Sequence, residues 1–140
     1  MGIILCPTRG GPQGYRNQDK AIAYAKIRDD LLIFLYVVDL HFLDKTAAPV
    51  VVDVGNEIQD MGEFMLLMAK ERAKERGIDA KTILRKGKVR EEIKAVALEE
   101  NATLILLGRP GDEKSAFQIS ELEEYAAEIE KETGIKSIIY

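Results

Sequence analysis

The segment Leu104-Ile105-Leu106-Leu107-Gly108-Arg109-Pro110-Gly111 constrains the fold more than any other stretch of this chain. An uninterrupted apolar run of strand length ends at a glycine, and a second glycine follows three residues later. Such a run, with no polar alternation, suits a parallel strand buried on both faces. The glycines let the backbone turn sharply and approach a ligand closely. In open α/β sheets the ligand crevice lies just beyond the carboxyl ends of such strands. The ligand edge of the protein is therefore predicted here.

The rest of the chain supplies the partners that a buried parallel strand requires. Short apolar runs at Gly2 to Cys6, Leu31 to Val38, Thr103 to Leu107 and Ile135 to Tyr140 read as strands. Ala80 to Arg85 alternates polar and apolar positions, as an edge strand does. Between them lie amphipathic stretches. Asn17 to Arg28 predicts a short helix on Ala21, Ile22 and Ala25. A second helix is predicted from an Asn56/Gln59 capping box to Gly77, with Ile58, Met61, Met65, Met68, Ala69 and Ala73 as its core stripe. Gly87 introduces a third helix whose inner face is Val89, Ile93, Val96 and Ala97, ending near Asn101. Ser120 to Glu123 reads as the capping box of a fourth, with Leu122, Tyr125, Ala126 and Ile129 inward and Gly134 at its end. The connection Asp39 to Gly55, with its β-prone Val50-Val51-Val52, stays open as loop, strand or helical excursion. The order βαβαβαβαβ with right-handed crossovers predicts one α/β domain, a parallel sheet covered by helices on both faces.

Composition narrows the function classes. The chain has 140 residues, enough to bury roughly 70% of its unfolded surface without disulfides or metals. A net charge of -4 argues against nucleic acid or an anionic membrane as the main partner. The single cysteine, Cys6, excludes an intramolecular disulfide and fits a reducing compartment. Gly2 to Cys6 is too short for a signal-peptide core, and no window reaches transmembrane length, so a cytoplasmic protein is expected.

Several pieces in order resemble the universal stress protein family. They are Ile3-Ile4-Leu5-Cys6-Pro7 with Gly10, Leu35-Tyr36-Val37-Val38-Asp39, Arg85-Lys86-Gly87, Leu104 to Gly111, and Glu124-Tyr125. The resemblance covers nearly the whole chain. It implies a three-layer, Rossmann-like sandwich of the adenine-nucleotide-hydrolase type, its five-stranded parallel sheet in order 3-2-1-4-5. It also implies a homodimer, and in one branch of the family ATP as the bound cofactor. The contacts for such a ligand would come from Thr8, Arg9, Val38, Gly87, Gly108, Arg109 and Gly111, with adenine placed at the backbone of Val38.

This sequence departs from the ATP-binding pattern, which reads G-x-x-G, nine residues, then G followed by S or T. Gly108 and Gly111 satisfy the first half, but the count then falls on Glu121-Leu122, or on Ser120-Glu121 after a one-residue deletion. The aspartate expected two residues after the first-strand proline is Arg9. Pro110 offers no N–H to an anion, and Asp112 and Glu113 add negative charge beside the loop. Against this, Arg9, Arg109, the Gly10-Gly11-Pro12-Gln13-Gly14 loop and the start of the last helix suit an anion pocket. The expected protein is a stress-response or regulatory binding protein with a degenerate nucleotide site; the alternative is an ATP-dependent switch with at most slow hydrolysis.

Catalytic and metal-ligating constellations are missing from the sequence: no Walker loop, no G-x-S-x-G elbow, no C-x-x-C. His41 has no adjacent ligand set and reads as a loop residue. Cys6 reads as a small core residue. Glu91-Glu92, Glu99-Glu100 and Glu123-Glu124 are neighbours along helices, so each pair reads as a solvated helix face. A receiver domain would need acidic residues after the first strand and an aspartate ending the third, where Pro7-Thr8-Arg9 and Arg85-Lys86-Gly87 stand. A flavodoxin-like binder would place a phosphate in Thr8 to Gly14. The apolar end Ser137-Ile138-Ile139-Tyr140 reads as an unblunted sheet edge, the surface on which two copies would pair.

Overall fold

A computed structural model describes residues 2–8, 11–39, 48–108 and 116–139. The elements run β1 (Ile3–Pro7), α1 (Gly11–Arg28), β2 (Leu31–Val38), α2 (Ala48–Glu75), β3 (Lys81–Lys86), α3 (Val89–Glu99), β4 (Leu104–Leu107), α4 (Ala116–Thr133) and β5 (Lys136–Ile139). All strand pairs are parallel, and the sheet order is β3-β2-β1-β4-β5. This is the five-stranded α/β sandwich expected from the alternation of runs.

Side chains alternate across the sheet, so each inner strand feeds two cores. On one face Ile4, Cys6, Leu32, Phe34, Leu104 and Leu106 pack with Ala21, Ile22 and Ala25 of α1 and Leu66, Ala69 and Ala73 of α2. On the other, Leu5, Ile33, Leu35, Ile105 and Leu107 meet Ile93, Val96 and Ala97 of α3 and Tyr125, Ala126 and Ile129 of α4. Cys6 is a core residue, 1% exposed, and burial pushes its thiol up to about 12, so it stays protonated at neutral pH. No helix among the described residues is long and apolar enough to cross a membrane.

Helix ends follow the local chemistry. Gly77 takes a left-handed φ of 84°, with its N–H bonded to the Lys74 carbonyl and the Ile78 N–H to that of Ala73. That pair of bonds closes α2 as a Schellman motif. Asn101 (φ 58°) ends α3 in the same way, with Ala102 N–H on the Ala97 carbonyl, and Gly134 (φ 74°) follows α4.

Helix starts differ from expectation. α1 begins at Gly11, so Gly11 to Gly14 lie in its opening turns rather than in a loop; Pro12 there has no intrahelical N–H bond to lose. α2 begins at Ala48, which places Val50-Val51-Val52 and the expected cap Asn56 inside the helix. β-Branching lowers helix propensity only slightly, and helical continuity overrides it. Ser120 likewise falls within α4 rather than at its cap. Within 39–55, residues 40–47, including His41, lie outside the described residues.

The α2 stripe is also rotated from the expected one. Ala69 and Ala73 are fully buried as expected, but Met61 is 60% and Met68 48% exposed, and Leu66 takes the core position. The reason is close approach. A Cβ on Gly62 would stand 2.5 Å from the Tyr36 ring, so the small residues Gly62, Ala69 and Ala73 let α2 sit low on the sheet, and the methionines turn outward. Val89 of α3 is exposed as well, while Ile93, Val96 and Ala97 hold the inner face.

The start of β1 is tied to the α1–β2 junction by one carboxylate. Asp30 accepts from the Gly2 N–H (2.7 Å) and from Arg28 Nε (2.8 Å), and the Leu31 N–H returns to the Gly2 carbonyl. The Arg28 bond, then the Gly2 bond, hold the Asp30 carboxyl below its usual range. A depressed folded pKa stabilises above the unfolded value and loses that contribution as pH falls through the folded one. Asp30→Asn is therefore expected to cost about 1 kcal/mol at neutral pH, the difference between a charged and a neutral acceptor. Urea unfolding should show the gap between wild type and variant closing as pH drops below the usual carboxylate range; a pH-independent gap would contradict this account.

Candidate functional site

Because every strand runs the same way, all carboxyl ends lie along one edge of the sheet. Following the spatial order, Gly87 succeeds β3, Val38 ends β2, Thr8 succeeds β1 and Gly108 succeeds β4. Four of the residues expected from sequence to contact a ligand thus occupy consecutive positions on that edge. The chain leaves β1 toward β2 on one side, while β4 flanks it on the other. That divergence is the topological switch point where such sheets open a crevice. Arg9, Arg109 and Gly111 lie outside the described residues.

Backbone hydrogen bonds hold the edge together. The Thr8 N–H donates to the Leu35 carbonyl (2.8 Å) and the Gly87 N–H to the Val38 carbonyl (3.0 Å). Gly87 has φ 149°, a conformation that favours glycine. Val38 is buried at 2%, so its backbone rather than its side chain faces the edge's chemistry. Arg85, one strand position before Lys86, is engaged by Glu99 and lies 3.9 Å from Glu92 of α3. Its charge is answered within the protein. Glu100 pairs with Lys81 in the same manner, so these carboxylates serve surface ion pairs.

Two residues that sequence reading passed over complete the switch point. Gln18 and Asn17 extend from α1 toward the ends of β1 and β4. Gln18, 2% exposed, donates from Nε2 to Thr8 Oγ1 at 2.7 Å. Its Oε1 is buried with no hydrogen-bond partner among the described residues. Asn17 occupies the space a Cβ on Gly108 would need, so glycine there serves close packing rather than an unusual backbone angle. A signal did exist in the sequence. Gln18 stands three, four and seven residues before Ala21, Ile22 and Ala25, on the same helical face. A helix beginning at Asn17 puts both amides at its end, whereas α1 begins at Gly11 and carries them within it.

On the far face, the Tyr125 hydroxyl donates to the Arg90 carbonyl (2.6 Å), tying α4 to the start of α3. Burial pushes its phenol pKa up, so the hydroxyl remains a donor at any physiological pH. Among the described residues no cluster of histidine, cysteine, aspartate or glutamate could hold a metal ion.

The Thr8–Gln18 bond yields a direct test. Thr8→Val is close to isosteric but removes the acceptor, leaving the buried carboxamide unpaired at both ends, for an expected loss of about 2 kcal/mol. Adding Gln18→Leu should recover most of it, because removing both polar partners relieves the desolvation penalty. Urea titrations of the three proteins measure the coupling; additive losses would show that the pair is not coupled.

The sequence matches the model of the universal stress protein family over residues 1–134. None of the curated proteins matches it. Among solved structures, universal stress protein UspA from Lactobacillus plantarum superposes with a TM-score of 0.78 at 19% identity, covering 99% of this chain and 96% of that one. A universal stress family protein from Burkholderia pseudomallei gives 0.72 at 22% identity, with 99% and 95% covered. A universal stress protein in complex with cAMP gives 0.71 at 20%, with 99% and 96% covered. At such identities the likeness establishes the fold.

Proposed function

Because this chain belongs to the universal stress protein family, we propose that it is a non-enzymatic stress-response or regulatory binding protein whose ligand crevice is the carboxyl edge of the sheet. The observation that carries this reading is the succession Gly87, Val38, Thr8, Gly108 across the β1/β4 switch point. A structural neighbour is a complex with cAMP, which supports an adenine nucleotide of low charge as the kind of ligand to test first.

A triphosphate suits the crevice less well. In the ATP-binding pattern the second glycine and its following Ser or Thr would fall on Ser120-Glu121 or Glu121-Leu122. Both lie inside α4, beyond its first four residues, where backbone N–H groups bond within the helix instead of to a phosphate. A glutamate stands at that place, and Arg9 replaces the expected aspartate. Calorimetric titration is expected to show no saturable Mg-ATP binding at about 10 µM, a scale typical of a specific small ligand. Micromolar affinity weakened by Arg9→Ala or Gly108→Val would instead establish the ATP-dependent switch, held by Thr8, Arg9, Val38, Gly87, Gly108, Arg109 and Gly111.

The same family reading includes a homodimer through β5. Among the described residues β5 pairs only with β4, leaving its outer backbone row open. Antiparallel pairing of two copies about a two-fold axis would satisfy both rows in a closed contact. Light scattering of the intact chain at tens of micromolar, a generous concentration for a specific complex, is expected to give a dimer. Deleting Ile138 to Tyr140 should abolish association before secondary structure is lost. A monomeric intact chain would remove the proposal.

A further inference from the structure

The outward face of α2 carries a line that the fold leaves uncovered. Glu57, Met61, Phe64, Met68, Glu71 and Glu75 follow one another at spacings of four and three residues, on one side of the helix. Met61 is 60%, Phe64 62% and Met68 48% exposed, and Leu67 beside them is 54% exposed. Four large apolar side chains at helical spacing form a patch of the kind that marks a protein contact rather than scattered surface residues. Methionine, unbranched and polarizable, also adapts readily to a partner surface.

Charge decides which partner fits. Glu57 and Asp60 precede Met61 by four residues and one, Glu71 and Glu75 follow Met68 by one turn and two, and all four are exposed. None of these four carboxylates has an ion-pair partner among the described residues. The nearest cations on the α1 side, Arg72 and Arg76, are both engaged by Asp19 of α1, at 3.2 and 2.8 Å. Lys70 lies on the opposite flank, lining an open groove of about 370 Å³ with Glu63, Leu66, Leu67, Thr82 and Leu84 between α2 and β3. The apolar line is therefore bracketed by Glu57 and Asp60 at one end and by Glu71 and Glu75 at the other, with the exposed Lys74 at its Leu67 margin.

We propose that this face of α2 is a docking surface for a cationic amphipathic helix of a partner protein, whose apolar side covers Met61, Phe64, Leu67 and Met68 while its basic residues meet Glu57, Asp60, Glu71 and Glu75. This is helix recognition by anchors at three- and four-residue spacing. A second copy of the chain is disfavoured. Antiparallel pairing that sets Phe64 opposite Met68 brings Glu57 against Glu75, and parallel pairing sets each carboxylate against itself. An anionic lipid surface meets the same repulsion. The surface is separate from the crevice and from β5, so this proposal stands or falls independently of the ligand and dimer readings.

The test uses the full chain and a labelled helical peptide of about 18 residues, leucines on one face and lysines on the other, with an otherwise identical glutamate peptide as control. Fluorescence anisotropy is expected to show the lysine peptide binding in the micromolar range and the glutamate peptide at least about tenfold more weakly. Added salt should weaken the lysine peptide. Phe64→Ser with Met68→Ser, and separately Glu71→Lys with Glu75→Lys, should each reduce its affinity at least about tenfold with unchanged circular dichroism, since all four side chains are exposed. Equal binding of both peptides, or indifference to both double variants, would overturn the proposal. So would light scattering in which Phe64→Ser with Met68→Ser dissolves an oligomer formed by the wild type, which would make a second copy the occupant. Flotation with phosphatidylserine vesicles that the same variant abolishes would assign the face to lipid and overturn it equally.

Discussion

The molecule depends on β1 being enclosed on four sides. It pairs with β2 along Ile3 to Pro7 and with β4 at Ile4 and Leu5. Ile4 and Cys6 point into one core and Leu5 into the other, all at 1% exposure or less. A strand in that position has no solvent-facing side on which a polar residue is tolerated, and its backbone groups are satisfied only by neighbours running parallel. Parallel neighbours require crossovers, the crossovers are helical, and the helices supply the cover on both faces. Removing any one of these leaves the others without a reason to form.

The same constraint creates the switch point. With β1 as the switch strand, its two neighbours β2 and β4 lie on opposite sides of it. Among the described residues a hydroxyl and two carboxamides meet at the ends of β1 and β4: Thr8, Gln18 and Asn17. Gln18 reaches the edge because α1 lies over β1 with Ala21, Ile22 and Ala25 against the sheet, and the next turn toward its start brings residue 18 to Thr8. The carboxyl edge and the core are therefore one assembly. A change in how α1 packs would move the polar groups at the ends of β1 and β4.

On α2 the packing requirement and the surface chemistry trade against each other. Burying Gly62, Ala69 and Ala73 brings the helix close to Tyr36 and the sheet, where small side chains gain dense contact. Larger residues have no room there. The cost is that Met61, Phe64 and Met68, at about one-quarter turn or more from the buried line, face solvent.

Much of this protein was determined by its sequence. The boundaries of β2 at Leu31 and Val38, the edge character of β3, the inner residues Ile93, Val96 and Ala97 of α3 and those of α4, and the closures at Gly77 and Gly134 all rest on local chemistry: apolar runs, periodicity, and residues suited to a left-handed φ. The presence of Thr8, Val38, Gly87 and Gly108 at strand ends was readable for the same reason. Other features belong to tertiary structure. Caps at Asn56 and Ser120 were sound local signals, yet the helices run through them, because a capping bond is worth no more than the propagation it would interrupt. The rotation of α2 was hidden because Met and Ala are both apolar, and only the distance to Tyr36 selects the smaller residue for the buried face. Gln18 and Asn17 reach the ends of β1 and β4 only because the fold brings those strands together beneath α1. Proximity between residues 91 positions apart, such as Asn17 and Gly108, is a property of the folded chain, since no local pattern of either residue carries a record of the other.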